Sequence, residues 1–118
     1  MKIIKPEDKY WQDKEGYSKK IFLDELDLKH LGALFQEIKI KAGNIAENHY
    51  HKVQTEVFYF LTDNGYWIIN EKRLEFKVGD ILVIEPEDRH ATINKTNQDY
   101  IYLAFKIKYE PTDIYWEK

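Results

Sequence analysis

The chain has 118 residues, 15% of them aromatic and 33% charged, which suffices for one folded unit with a real core and does not read as disorder. A net charge of −3, with no basic run, gives no reason to expect nucleic acid or anionic membrane as a partner. Cysteine is absent, which excludes disulfides, thiolate catalysis and thiolate metal sites.

In chain order, Met1 to Trp11 turns polar after two isoleucines and holds no apolar stretch fit for a signal peptide. No later segment is long enough to span a bilayer, so a cytoplasmic protein is expected. Asp24 to Leu31 reads as a short helix or turn. Leu34 to Lys41 alternates as a strand, with Leu34, Ile38 and Ile40 on one face and Glu37, Lys39 and Lys41 on the other. Glu56 to Leu61 is a β-rich run, and the Asn64-Gly65 pair in the following Thr62 to Gly65 predicts a tight hairpin. Tyr66 to Asn70 is expected to pair with Arg73 to Val78 across a turn, with Leu74, Phe76 and Val78 sharing a face. Gly79-Asp80 turns the chain again. Ile81 to Ile84, His90 to Asn94 and Tyr100 to Tyr109 are the remaining strands, with Pro86 between strands, where a missing amide does no harm. Many short strands with Gly, Asn, Asp and Pro punctuation predict an all-β sandwich or barrel.

The chain has four histidines, His30, His49, His51 and His90. In His49-Tyr50-His51, strand geometry points both imidazoles to one face and Tyr50 to the other. Glu56 opens the next strand. Imidazoles plus a carboxylate suit zinc, iron, nickel, manganese or copper. Histidines at i and i+2 also occur on strand faces that are merely polar, so spacing alone leaves both readings open. His30 belongs to no such pattern. Arg89 is expected to point away from its neighbour His90 as a surface ion-pair partner.

From Gly43 the chain runs GNIAENHYHKVQTEVFYFLTDNG, and from Gly79 it runs GDILVIEPEDRHATIN. The first resembles motif 1 of the cupin superfamily, residues 43–65, with Gly43, His49, His51 and Glu56 at its offsets. The second resembles motif 2, residues 79–94, with His90 and Asn94 at its offsets. Three departures stand out. The gap from Glu56 to Gly65 is two residues longer than the family's usual pattern, a difference that a longer hairpin tip would absorb. The proline has slipped to Pro86, and Glu87 sits where the family often has glycine. The resemblance implies one cupin domain over residues 1–118, folded as a double-stranded β-helix, or jelly-roll barrel. It also implies one divalent transition metal ion (Fe, Mn, Ni, Zn or Cu) held by His49, His51, Glu56 and His90. Zinc, its four-coordinate shell filled by these ligands, would suit a structural role better.

Cupins include oxygenases, isomerases, decarboxylases, hydrolases and proteins that only bind small molecules, and fold does not decide among them. The expectation is a metal-dependent enzyme acting on a small organic acid or aromatic molecule in the barrel pocket. The alternative is a non-catalytic binding or sensor module. Tyr66, Tyr100 and Tyr102 are candidate acid–base groups. Lys39, Lys41, Arg73 and Lys77 lie opposite apolar rows and read as solvated, which disfavours phosphorylated sugars. Several strands are apolar on both faces: Val57, Tyr59 and Leu61 oppose Glu56, Phe58 and Phe60, and Ala91 and Ile93 oppose His90 and Thr92. The N-terminal segment (Tyr10, Trp11, Tyr17) and the C-terminal tail (Ile114, Tyr115, Trp116) can cover only part of these outer faces. A homodimer is therefore expected to bury the rest.

Overall fold

Strict alternation from Leu34 to Ile40 produces a strand that buries Leu34, Gln36, Ile38 and Ile40 and leaves Phe35, Glu37 and Lys39 half-covered. The same period of two recurs through the computed structural model, which describes residues 1–117. Eleven strands follow one another: β1 Gln12–Asp13, β2 Ser18–Leu23, β3 Leu34–Ile40, β4 Ile45–Tyr50, β5 Thr55–Phe60, β6 Tyr66–Ile69, β7 Lys72–Leu74, β8 Ile81–Ile84, β9 His90–Ile93, β10 Tyr100–Ile107 and β11 Tyr115–Trp116. Between β2 and β3 a one-turn helix, α1 Glu25–Leu28, is held by a capping box in which Asp24 and Asp27 exchange side-chain-to-amide bonds. The strands form two antiparallel sheets, in the orders β1-β2-β3-β10-β5-β8 and β11-β4-β9-β6-β7. Two such sheets enclosing one core are the double-stranded β-helix.

One end of the interior is filled by aromatics. Phe60 stacks on Phe76 with ring centroids 4.7 Å apart, and the indole of Trp67 donates to the Tyr100 hydroxyl at 3.1 Å. Ile38, Ile40, Phe58, Ile84 and Tyr102 complete this plug. Each fully buried large side chain contributes roughly 1.5–3 kcal/mol, so this end can hold the barrel together without help from the opposite, polar end.

The Asn64-Gly65 hairpin does not form. Both edges of β5 are taken, by β10 and β8, so β6 cannot pair with it. Thr62 to Gly65 instead crosses from one sheet to the other. Asn64 donates to Thr96 and to the carbonyls of Gln98 and Asp99, tethering the crossover to the 96–99 loop. Gly65 is required because a Cβ there would overlap the Tyr100 ring. The two-residue hairpin lies one connection later, between β6 and β7, where Asn70 and Glu71 both take positive φ, as a type I′ turn demands. Its second strand stops at Leu74, short of the expected Val78. Glu87, where the family often has glycine, also takes positive φ, at 75°. That backbone shape is kept by a bond from the Glu87 amide to the His51 carbonyl, 2.7 Å, and by Arg89 gripping the Glu87 carbonyl and carboxylate.

The outer face of β9 also differs from expectation. Ala91 and Ile93 are buried within the chain itself. Ile93 lies between Ile45 and Tyr66, and the rings flanking this face carry cations, Arg73 over Tyr66 and Arg89 over Tyr50.

Candidate metal centre

The four candidate ligands come from three strands and one strand end. Glu56 and His90 project inward from β5 and β9, and His49 from β4, with His51 just past its end. The ladder between β4 and β9 pairs Ala46 with Thr92 and then His49 with His90, so β4 contains one extra residue. Without that bulge, strict alternation from inward-facing Ala46 would aim His49 and His51 outward. The bulge at Glu47-Asn48 restores them to the interior.

One donor atom from each of His49, His51, Glu56 and His90 lies within 4.8 Å of the others. With bonds of about 2.1 Å, donors around a shared ion stand about 3–4 Å apart, so this spread admits one. His51, Glu56 and His90 are each no more than 5% exposed, and His49 is largely covered by Trp116, whose ring centroid lies 4.9 Å away.

Each imidazole is oriented by a main-chain carbonyl on its Nδ1 side: Glu47 for His49 at 2.8 Å, Asp113 for His51 at 2.6 Å and Asp88 for His90 at 2.9 Å. A carbonyl can only accept, so Nδ1 must carry the proton. Nε2 is then left as a lone pair facing the cluster, the tautomer a metal ligand needs. The His51 Nε2 stands 2.7 Å from the Glu56 carboxylate but is not aligned as a hydrogen bond, and it has no hydrogen-bond partner. At that distance the two atoms are held together by a shared proton or by a metal ion between them. Burial, then the His90 charge, pushes His49 down to about 3, and burial also lowers His90, so both rings are neutral near pH 7. Burial acts to raise Glu56, but Lys106, His51 and His90 outweigh it and hold the carboxyl well below the usual range.

His51 is positioned from the far end of the chain. The buried carboxylate of Asp113 accepts from the amides of Lys52, Val53 and Gln54 at 2.8, 3.0 and 2.9 Å, while its carbonyl orients the His51 ring. Tyr115 and Trp116 then pair with Tyr50 and His49 as β11. The C-terminal tail, expected to cover an outer face, is thus part of the site.

The cluster opens into a cavity of about 80 Å³. Of the three tyrosines proposed as acid–base groups, Tyr102 lines it, while Tyr100 is in the aromatic plug and Tyr66 is on the opposite face under Arg73 and Lys95. Tyr17, Lys19 and Lys106 also line it and were not anticipated as site residues. Lys106 follows from the period already visible in Tyr100, Tyr102 and Ala104, continued by one more step. Lys39, Lys41, Arg73 and Lys77 are absent from the lining. His30 is exposed and bonded to the Leu28 carbonyl, and Arg89 points to Glu87 and Glu117. Asn94 is fully buried and ties the carbonyls of Ile40 and Gln98, which makes it a support of the following turn.

Residues 36–106 match the sequence profile of the Cupin domain. The oxalate-binding protein of Thermotoga maritima is 30% identical over 71 residues, 60% of this chain. That alignment spans 59% of the relative, less than two thirds of its length. Among solved structures, a predicted oxalate decarboxylase from Thermotoga maritima superposes with a TM-score of 0.81 at 20% identity, covering 90% of this chain and 98% of that one. The polyketide cyclase RemF from Streptomyces resistomycificus gives a TM-score of 0.86 at 14% identity, covering 100% and 86%.

Proposed function

The chain belongs to the cupin family, and from that premise we propose that His49, His51, Glu56 and His90 hold one divalent transition metal ion in a metal-dependent enzyme for a small organic acid or aromatic molecule. The observation that carries this reading is the convergence of three carbonyl-oriented imidazoles on one buried carboxylate. The ion would supply Lewis acidity toward a substrate carboxylate or carbonyl. The chain's own residues supply the rest. Phe58 and Trp116 wall the cavity, and Tyr17 and Tyr102, their phenols raised by burial, stay protonated at neutral pH as hydrogen-bond donors. The name of the Thermotoga maritima relative, an oxalate-binding protein, supports a small acid as the ligand.

A second reading, a binding or sensor module, is favoured by one feature. Beyond the proposed ligands, the titratable groups lining the cavity are two phenols and two lysines, with no further imidazole or carboxylate among them. Elemental analysis of untagged protein is expected to show close to one transition metal per chain. His51→Ala should stay folded on its aromatic plug yet lose both the metal and the response to small acids. Full metal retention in that variant would remove His51 from the site, and a large stability loss with ligand binding intact would make the site structural.

We further propose that a second copy of the chain covers the outer face of β8, β5 and β10. Ile81, Val83, Tyr59 and Phe105 stand there at 64, 49, 44 and 38% exposure, in register across the three strands. Among the described residues neither tail reaches them: β1 extends the far edge of this sheet and β11 joins the other. The chain exposes 7439 Å², against about 6,800 Å² for a monomer of this mass. Light scattering at micromolar concentration should give about twice 14.3 kDa, and Ile81→Lys with Val83→Lys should halve it. A wild-type mass near 14.3 kDa overturns the dimer.

A further inference from the structure

Two cations share the cavity with the four-residue cluster. Lys19 of β2 and Lys106 of β10 both line it, one from each side of β3. Register places both on the inward face. Lys19 stands opposite Ile38, and Lys106 follows Tyr102 and Ala104 and faces Glu56 across the ladder. Both are half-buried, and among the described residues neither forms an ion pair, although Lys106 lies 5.0 Å from the Tyr109 ring. Lys41, by contrast, pairs with the carboxylate of Asp13 on the surface. Burial, then the Lys106 charge, depresses Lys19, so the two ammoniums feel one another. Drawing two like charges into a half-buried space is unfavourable without a counter-anion. Glu56 is the sole carboxylate in the lining, so a divalent ion at the cluster leaves the cavity strongly positive.

We propose that Lys19 and Lys106 form a distal anion anchor, and that the ligand is a small dicarboxylate with one carboxylate at the metal centre and the other on the two ammoniums. The inference rests on the metal-centred reading above and narrows it from small acids in general to doubly charged ones. Size agrees. A cavity of about 80 Å³ has room for roughly five to eight water-sized groups, the bulk of a two- to four-carbon dicarboxylate. Lysines also bind phosphate, as point charges, so phosphate is the competing anion, and the lining offers it neither an Arg fork nor a helix N-terminus.

The test is calorimetric titration of metal-loaded protein with malonate, acetate and inorganic phosphate, on wild type, Lys19→Met, Lys106→Met and the double variant. Methionine keeps the aliphatic stem and removes the charge. Each single variant should weaken malonate at least tenfold, the size expected for losing a charge-assisted hydrogen bond, and acetate less than threefold, with metal content unchanged. The exposed Lys72→Met serves as control and should bind malonate as wild type does. If either methionine variant misfolds, the corresponding glutamine variant replaces it, and the same tenfold loss is required. Malonate affinity within twofold of wild type in the double variant overturns the anchor while leaving the metal-centred reading intact. Phosphate bound as tightly as malonate overturns the dicarboxylate assignment. A wild type that binds neither acetate nor malonate with its metal in place overturns both readings.

Discussion

Asp113→Ala is expected to cost about 3–5 kcal/mol and to loosen the metal centre from a position that offers no ligand to it. The side chain is 6% exposed and accepts three amide bonds, so its removal orphans the donors of Lys52, Val53 and Gln54. A buried donor left unsatisfied costs roughly 1–3 kcal/mol, and water entering the gap offsets part of the sum. The melting temperature should fall by about 10–20 °C for a chain of this size. The main-chain carbonyl that orients His51 survives the substitution, but the segment carrying it loses its anchor. Supporting contacts of this kind are worth about 10–100-fold in metal affinity, which competition with a chromophoric chelator would read. Asp113→Asn, which keeps one acceptor oxygen, should lie between the two. A loss below about 1 kcal/mol in Asp113→Ala would show that the anchor is not structural.

The metal-free protein should lose stability steeply as pH falls from about 6.5 toward 5. An unfolded histidine titrates near 6.5, whereas burial and then the His90 charge push folded His49 down to about 3, and burial lowers His90 as well. Between those values the unfolded chain binds protons that the folded one refuses, so acid favours unfolding. His49 alone should remove about 2 kcal/mol between pH 6.5 and 5, with His90 adding in the same direction. Glu56 and Asp113 contribute nothing in this window. Their depressed carboxyls favour the fold above the unfolded value near 4, and that stability is lost only as pH falls further, through their folded values. Saturating metal should raise the curve without removing the His49 and His90 contribution between pH 6.5 and 5, because burial keeps those two rings unprotonated with or without the ion. Thermal melts of chelator-treated and metal-loaded protein from pH 7 to 4.5 check both statements. A melting temperature flat from pH 7 to 5 in the metal-free protein would mean that the folded cluster already holds the protons.

Local pattern sufficed for β3, β5, β6, β8, β9 and β10, though not for β1, β2 or β11, and the resemblance to the two cupin motifs supplied the identity of the four clustered residues. Alternation in Leu34 to Ile40 survives folding unchanged because one face of β3 meets the core and the other does not. Gly79, read as a turn position, does take positive φ, as does Gly43 at the head of the first motif. His49, His51, Glu56 and His90 were legible because their types and offsets are properties of the chain itself. The Asn64-Gly65 signal misled because turn propensity is local, whereas β5 was already paired on both edges by strands distant in sequence.

What sequence determined by itself was therefore most of the central strands and the donors available to a metal. Tertiary structure alone decided how those donors are aimed. The extra residue in β4 reverses the facing that simple alternation from Ala46 would give. The proton positions on the three imidazoles depend on carbonyls, one of which is 62 residues away. Asp113, Lys19 and Lys106 gained their places the same way, since a side chain's partners across a barrel are fixed by strand order and register, which no short stretch of sequence encodes.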